Sequence, residues 1–198
     1  MKPETGSSPL RSTGVALSAL WLLIGGCASH LPQFYPDTYF DEDRVYENKA
    51  LGFALAYRGN WHITTDPAEM TRSTREFARS LHRSGAELLF VGSTVEATQG
   101  TRGIAVNLNM LNEDYAERIR AINRDDIDED YGMTETIAFE IPVVQWEYTT
   151  GGFRFVEFFF TLDTYNIRIA FWTKPALYEN FLPVYEEIMA TLSRVSRL

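Results

Sequence analysis

Between Thr134 and Thr173 four apolar, aromatic-rich stretches follow one another with only short breaks. They occupy residues 134–141, 143–149, 153–162 and 166–173, the second and third joined by Gly151-Gly152 and the last two by Asp163-Thr164-Tyr165. A parallel crossover needs a dozen or more residues, so strands joined this closely must run antiparallel. Whatever this chain builds, an antiparallel sheet stands at its centre.

The segments before and after this block are placed to cover such a sheet. Val45-Tyr46, a turn at Glu47-Asn48-Lys49 and residues 51–57 read as a first hairpin, with Leu51, Phe53 and Leu55 on one face by period-two alternation. Arg58-Gly59-Asn60 turns the chain into a strand at 61–64. Asp66-Pro67 offers a cap followed by proline at the first helical position, so a helix is expected from Pro67, with Met70, Phe77 and Leu81 as its core stripe and Gly85 as its stop. Residues 87–94 and 103–111 are β-rich runs around a turn at 98–102. Asn112 can cap a second helix carrying Tyr115, Ile119 and Ile122 at i, i+4 and i+7. A third helix follows from Leu177, Phe181, Val184, Ile188 and Leu192, with Pro183 expected to kink or restart it. The expected fold class is α+β, a central antiparallel β-sheet flanked by α-helices.

Ahead of the domain lies a different kind of segment. Lys2 and Arg11 outweigh Glu4 across the first fourteen residues, and residues 15–24 read VALSALWLLI without a charge. A membrane-spanning helix needs about 20 apolar residues, so this run suits the h-region of a signal peptide. It ends in Ile24-Gly25-Gly26-Cys27, which looks like a lipobox, and Cys27 is the only cysteine. Residues 1–26 are therefore expected to be a lipoprotein signal peptide. Cys27 is the expected attachment point of a diacylglycerol and acyl anchor, and 27–44, with two prolines and an acidic end, the tether. The domain is expected at 45–198, as a monomer. Ala28 after the cysteine predicts the outer membrane, periplasmic face, or the outer face of the cell membrane in an organism with one membrane.

With one cysteine no internal disulfide is available, so the core must hold the fold. A chain with 45% hydrophobic and 14% aromatic residues has the side chains to build that core. Of 18 basic and 27 acidic residues, removal of 1–26 takes Lys2, Arg11 and Glu4 and leaves 16 against 26. A body near −10 repels nucleic acid and argues against general attraction to anionic lipid.

Residues 46–61, YENKALGFALAYRGNW, resemble the opening of the PsbP-like superfamily. That superfamily includes the photosystem II extrinsic protein, a Ran-binding protein of the Mog type and bacterial lipoproteins of the DcrB type. The aromatic hairpin at 153–172 and the helix at 181–192 resemble its closing elements, whereas Arg58 stands where the family usually has proline. The resemblance implies scaffolding or partner binding, and it transfers no catalytic residue.

The chemistry-bearing residues point the same way. His30, His62 and His82 have no second histidine or cysteine at ligand spacing, and no nucleophile, phosphate-loop or zinc-protease motif occurs. No enzyme, no cofactor beyond the lipid and no metal are expected. Asp126, Asp128 and Asp130 alternate like the start of a calcium loop, but Tyr131 and Ile137 stand where such a loop needs glycine and glutamate, leaving a solvated acidic loop at 125–130 as the expectation. Arg72, Arg75, Arg79 and Arg83 fall on one helical stripe, a candidate contact for an acidic envelope partner or lipid headgroups. The functional expectation is a membrane-anchored envelope lipoprotein acting as a non-catalytic binding or assembly module. The alternative is a lipoprotein holding a small hydrophobic ligand against Phe153, Phe155, Phe158, Phe159, Phe160, Phe171 and Trp172.

Overall fold

The computed structural model describes residues 38–197, so the signal segment and Cys27 lie outside the described residues. Within them the chain forms eleven strands and three α-helices. The strands are β1 (Thr38–Phe40), β2 (Val45–Asn48), β3 (Phe53–Ala56), β4 (Trp61–Thr64), β5 (Ala86–Thr94), β6 (Gln99–Asn107), β7 (Glu129–Ala138), β8 (Ile141–Thr150), β9 (Phe153–Leu162), β10 (Tyr165–Thr173) and β11 (Ser193–Arg194). The helices are α1 (Arg72–Arg83), α2 (Asn112–Asn123) and α3 (Tyr178–Ala190). They assemble into an antiparallel seven-stranded sheet, order β4-β5-β6-β10-β9-β8-β7, and a four-stranded sheet, order β1-β2-β3-β11. The α+β architecture of an antiparallel sheet with flanking helices is as expected, with the small second sheet as an addition.

Helices α1 and α2 lie on one face of the large sheet, over β5 and over β8 and β9 respectively. The small sheet and α3 close the other face. Between them Tyr46, Phe53, Leu55, Tyr57, Phe90, Phe158, Phe160, Ile167, Ile169, Phe171, Tyr185 and Ile188 are all buried. Their rings meet edge-on or stacked, as with Phe53 and Phe160 at 5.7 Å and Phe171 and Tyr185 at 4.8 Å, the geometries aromatic quadrupoles favour.

Four local expectations need correction. Residues 38–40 were expected in the tether but pair with 45–47, and Tyr39 lies edge-on to Tyr57 at 6.5 Å. Three residues are too few to show periodicity, so the strand is revealed only by its partner. Helix α1 begins at Arg72, not Pro67. Asp66 Oδ1 accepts from the Ala68 amide at 2.7 Å in a tight turn, and the working cap is Thr71, whose hydroxyl accepts from the Thr74 amide at 3.2 Å. Asn112 does not cap α2. Its side chain donates to the Pro142 carbonyl and accepts from the Thr161 hydroxyl, tying the helix start to the sheet. Finally, residues 99–102 were expected in a turn but open β6, because they pair with both β5 and β10. Pro183 lies within α3. Gly85 terminates α1 at φ +80°, where a Cβ would be strained.

Candidate binding cleft

Register determines what faces α1 and α2. Across the large sheet one row of paired residues runs His62, Ser93, Gly100, Trp172, Phe155, Tyr148, Asp130, and the next runs Thr64, Val91, Arg102, Ala170, Glu157, Trp146, Met133. Because side chains alternate along each strand, both rows project on the helix side. Trp146, Tyr148, Phe155 and Trp172 form a continuous stack, with centroids 4.1, 5.2 and 5.6 Å apart. Gly100 makes room for its end: a Cβ there would lie 2.2 Å from the Trp172 ring.

Beneath this stack lies a buried charge cluster. Glu157 is 1% exposed and shared by two arginines. Its Oε2 accepts from Arg168 Nη1 at 3.4 Å, and its Oε1 accepts from the Tyr148 hydroxyl at 2.9 Å, while Arg102 Nη2 approaches Oε1 only to 3.6 Å. Burial, followed by the charge of Glu157, pushes the Tyr148 phenol well up, so it stays protonated and donates. Burial pulls the Arg168 guanidinium down, but Glu157 together with the Tyr115 and Tyr148 phenols outweighs burial and holds it above its ordinary value. Two cations on one carboxylate leave a local excess of one positive charge.

Arg102 carries that excess to the surface. Its guanidinium lies 5.5 Å from the Phe77 ring of α1 and 5.8 Å from the Trp172 ring, contacts that hold a flat cation in place. Beside it opens a cleft of about 320 Å³, lined also by His62, Ser73, Thr74 and Ser93. None of its lining residues is acidic.

The arginine stripe of α1 stands next to this cleft and is less uniform than its spacing implies. Arg72 pairs with Glu76 at 2.9 Å, and Arg75 turns back to the Met70 carbonyl at 2.8 Å. Arg79 reaches the Arg75 carbonyl at 3.3 Å, and Arg79 and Arg83 are exposed beside a second depression with His82 and Glu87. Arg72, Arg79 and Arg83 thus present charge outward, whereas Arg75 braces the turn before the helix.

The acidic segment divides similarly. Residues 124–126 form a short 3-10 turn, and β7 begins at Glu129. Asp130 accepts from Arg120 at 2.6 Å, the Trp146 indole at 3.1 Å and the Gly132 amide at 2.9 Å. Burial pulls its carboxyl up, yet these donors outweigh burial and hold it below its ordinary value. Among the described residues no group of three or more His, Cys, Asp or Glu side chains is placed to hold a metal ion.

The aromatic set proposed for an apolar ligand is split by the sheet. Phe158, Phe160 and Phe171 fill the closed core on one side, whereas Phe155, Phe159 and Trp172 face α1 and α2 on the other. Sequence reasoning missed Arg102, Glu157, Arg168 and Tyr148. Two charged residues inside otherwise apolar strands, Glu157 and Arg168, were the available signal.

An antiparallel sheet with this order, helices on both faces and an opening hairpin defines a PsbP-like fold. The chain is similar to the solution structure of cyanobacterial PsbP (CyanoP) from Synechocystis sp. PCC 6803, with TM-score 0.54 and 11% identity over 76% of this chain and 91% of that one. A crystal structure from Pseudomonas aeruginosa, of a protein of unknown function described as a putative regulator, matches at TM-score 0.40 and 13% identity over 48% and 72% of the two chains. One from Bacteroides thetaiotaomicron matches at 0.43 and 13% over 76% and 48%. No family profile and no curated protein sequence matches the chain.

Proposed function

We propose that this chain is a bacterial envelope lipoprotein, held to a membrane by lipid on Cys27, whose PsbP-like body is a non-catalytic binding module for another envelope component. The carrying observation is a concentration of guanidinium at one end of an acidic protein. Arg72, Arg79 and Arg83 point outward from α1, and Arg102 stands in the adjoining cleft. Planar forks of this kind suit carboxylate-bearing partners. The lipid anchor and the outer-membrane, periplasm-facing location rest on the residues around Cys27, including Ala28. Among the described residues no helix is long and apolar enough to cross a membrane, which is compatible with a body carried on a lipid.

Two measurements test this reading. Fractionation should find wild-type chain with membranes and Cys27→Ser released, and equally firm membrane attachment of both would remove the anchor. Crosslinking in cells should recover an envelope protein with wild type and markedly less with Arg72, Arg79 and Arg83 all changed to Gln. Arg75 is left in place because of its contact with the Met70 carbonyl. An unchanged crosslink would return the stripe to ordinary solvent-facing helix, where each ion pair adds only about 0.2–0.5 kcal/mol.

A further inference from the structure

We infer that the cleft beside Arg102 binds a small aryl oxyanion, a flat ring bearing a carboxylate or phosphate. This inference rests on the reading of the chain as a binding module and adds a ligand to it. Charge supplies the first argument. Glu157 is already held by Arg168 and Tyr148 at 3.4 and 2.9 Å, and Arg102 at 3.6 Å lies outside a good hydrogen bond to it. The Nε atoms of Arg102 and Arg168 are both buried without a hydrogen-bond partner among the described residues, Arg168 being only 5% exposed. Arg102 is thus a partly open guanidinium whose one carboxylate contact is long and whose carboxylate is already held by two other donors, which leaves its cleft-facing fork for a second oxyanion.

Access and shape supply the second argument. The Arg102 side chain is 22% exposed, and the opening it reaches is the cleft between α1 and the sheet. Phe77 and Trp172 flank the guanidinium and form apolar walls for a ring, while Ser73, Thr74, Ser93 and His62 stand around the cleft as polar contacts. The Trp172 wall depends on Gly100, over which its indole lies too closely for any Cβ. A volume of about 320 Å³ is at the small end of ligand pockets, roughly 300–1,000 Å³, so one ring with its acid group is the size that fits.

Arg102 is the binding residue, and Phe77 and Trp172 position it. Calorimetric titration of the detergent-solubilised full chain with benzoate, phenylphosphate, benzamide and acetate tests the assignment. Benzoate or phenylphosphate should bind, and both benzamide, which lacks the charge, and acetate, which lacks the ring, should bind about tenfold more weakly or not at all. Arg102→Gln should weaken the aryl anions by about tenfold or more. Ser93→Asp, which places a carboxylate within the cleft, should abolish their binding while the melting temperature stays close to wild type. This second variant decides the matter if Arg102→Gln does not fold. Absence of aryl-anion binding to the wild type, or equal binding to Ser93→Asp, overturns the assignment. Crosslinking through α1 is read separately: a crosslink that needs Arg72, Arg79 and Arg83 beside a failed titration removes only the ligand, and a crosslink indifferent to them beside a successful one removes only the docking surface.

Discussion

Strand β9 supplies Val156, Phe158, Phe160 and Leu162 to one face of the seven-stranded sheet and Phe155, Glu157, Phe159 and Thr161 to the other. The first set is sealed by a second sheet and α3 into a dry, ring-filled interior. The second lies under two separate helices, on a face that buries a carboxylate, the Arg168 guanidinium and a phenol and leaves Arg102 partly open. Buried ion pairs seldom stabilise more than apolar side chains of the same volume, because desolvation offsets their attraction. The closed face therefore accounts for folding, and the charges of the helix-covered face call for a second reason, which the recognition proposed above would supply.

That contrast can be broken from either side. Phe171→Ala, in the closed interior, should cost the most, about 3–5 kcal/mol by denaturant unfolding, because the rings around it, Tyr57, Trp61, Phe158 and Tyr185, cannot collapse into the space. A loss below about 1 kcal/mol would mean that the closed face is not the packing core described above. Next is Glu157→Gln, which strands Arg168 as a buried unpaired cation and should cost about 3 kcal/mol. If a second substitution, Arg168→Met, recovers most of that loss, the penalty belongs to the orphaned charge. If it does not, the carboxylate packs rather than balances.

The smallest of the three effects is expected at the rim, where Asp130 is partly open to solvent. Asp130→Asn should lower stability by about 1 kcal/mol at neutral pH, since charge-assisted hydrogen bonds are discounted by water there. A carboxyl held below its unfolded value of 3.8 contributes stability that is fully present above that pH and fades as pH falls through the lower, folded value. Wild type and variant should therefore differ at pH 7 and converge below about pH 4. A difference that persists unchanged at low pH would assign the effect to shape and not to charge.

Much of this arrangement was legible beforehand for physical reasons that are plain in particular residues. Gly151-Gly152 between two β-rich runs announces a hairpin, and both glycines adopt positive φ. The turn between β7 and β8 was not legible, because Phe139 and Glu140 take left-handed conformations that their side chains do not advertise. The site was harder still. Arg102 lay in a segment read as a turn, and its meaning depends on Trp172, Phe77 and Glu157, which only the register brings together. The α1 arginines were visible as a stripe, but the inward turn of Arg75 follows from a helix that starts five residues later than its proline implies.

The three-residue strand β1 has a mechanical consequence. It joins the small sheet at its edge, antiparallel to β2, with Thr38 at the end remote from the connecting turn. A load applied from the N-terminal side reaches Thr38 first, before any residue of the seven-stranded sheet. Peeling residues 38–44 releases roughly 23–25 Å of extended chain. On the closed face the Tyr39 contact with Tyr57 is lost in the process, while the ladders of the large sheet stay paired. Built in this way, the domain carries its own slack: seven residues of reach that yield while the seven-stranded sheet stays paired.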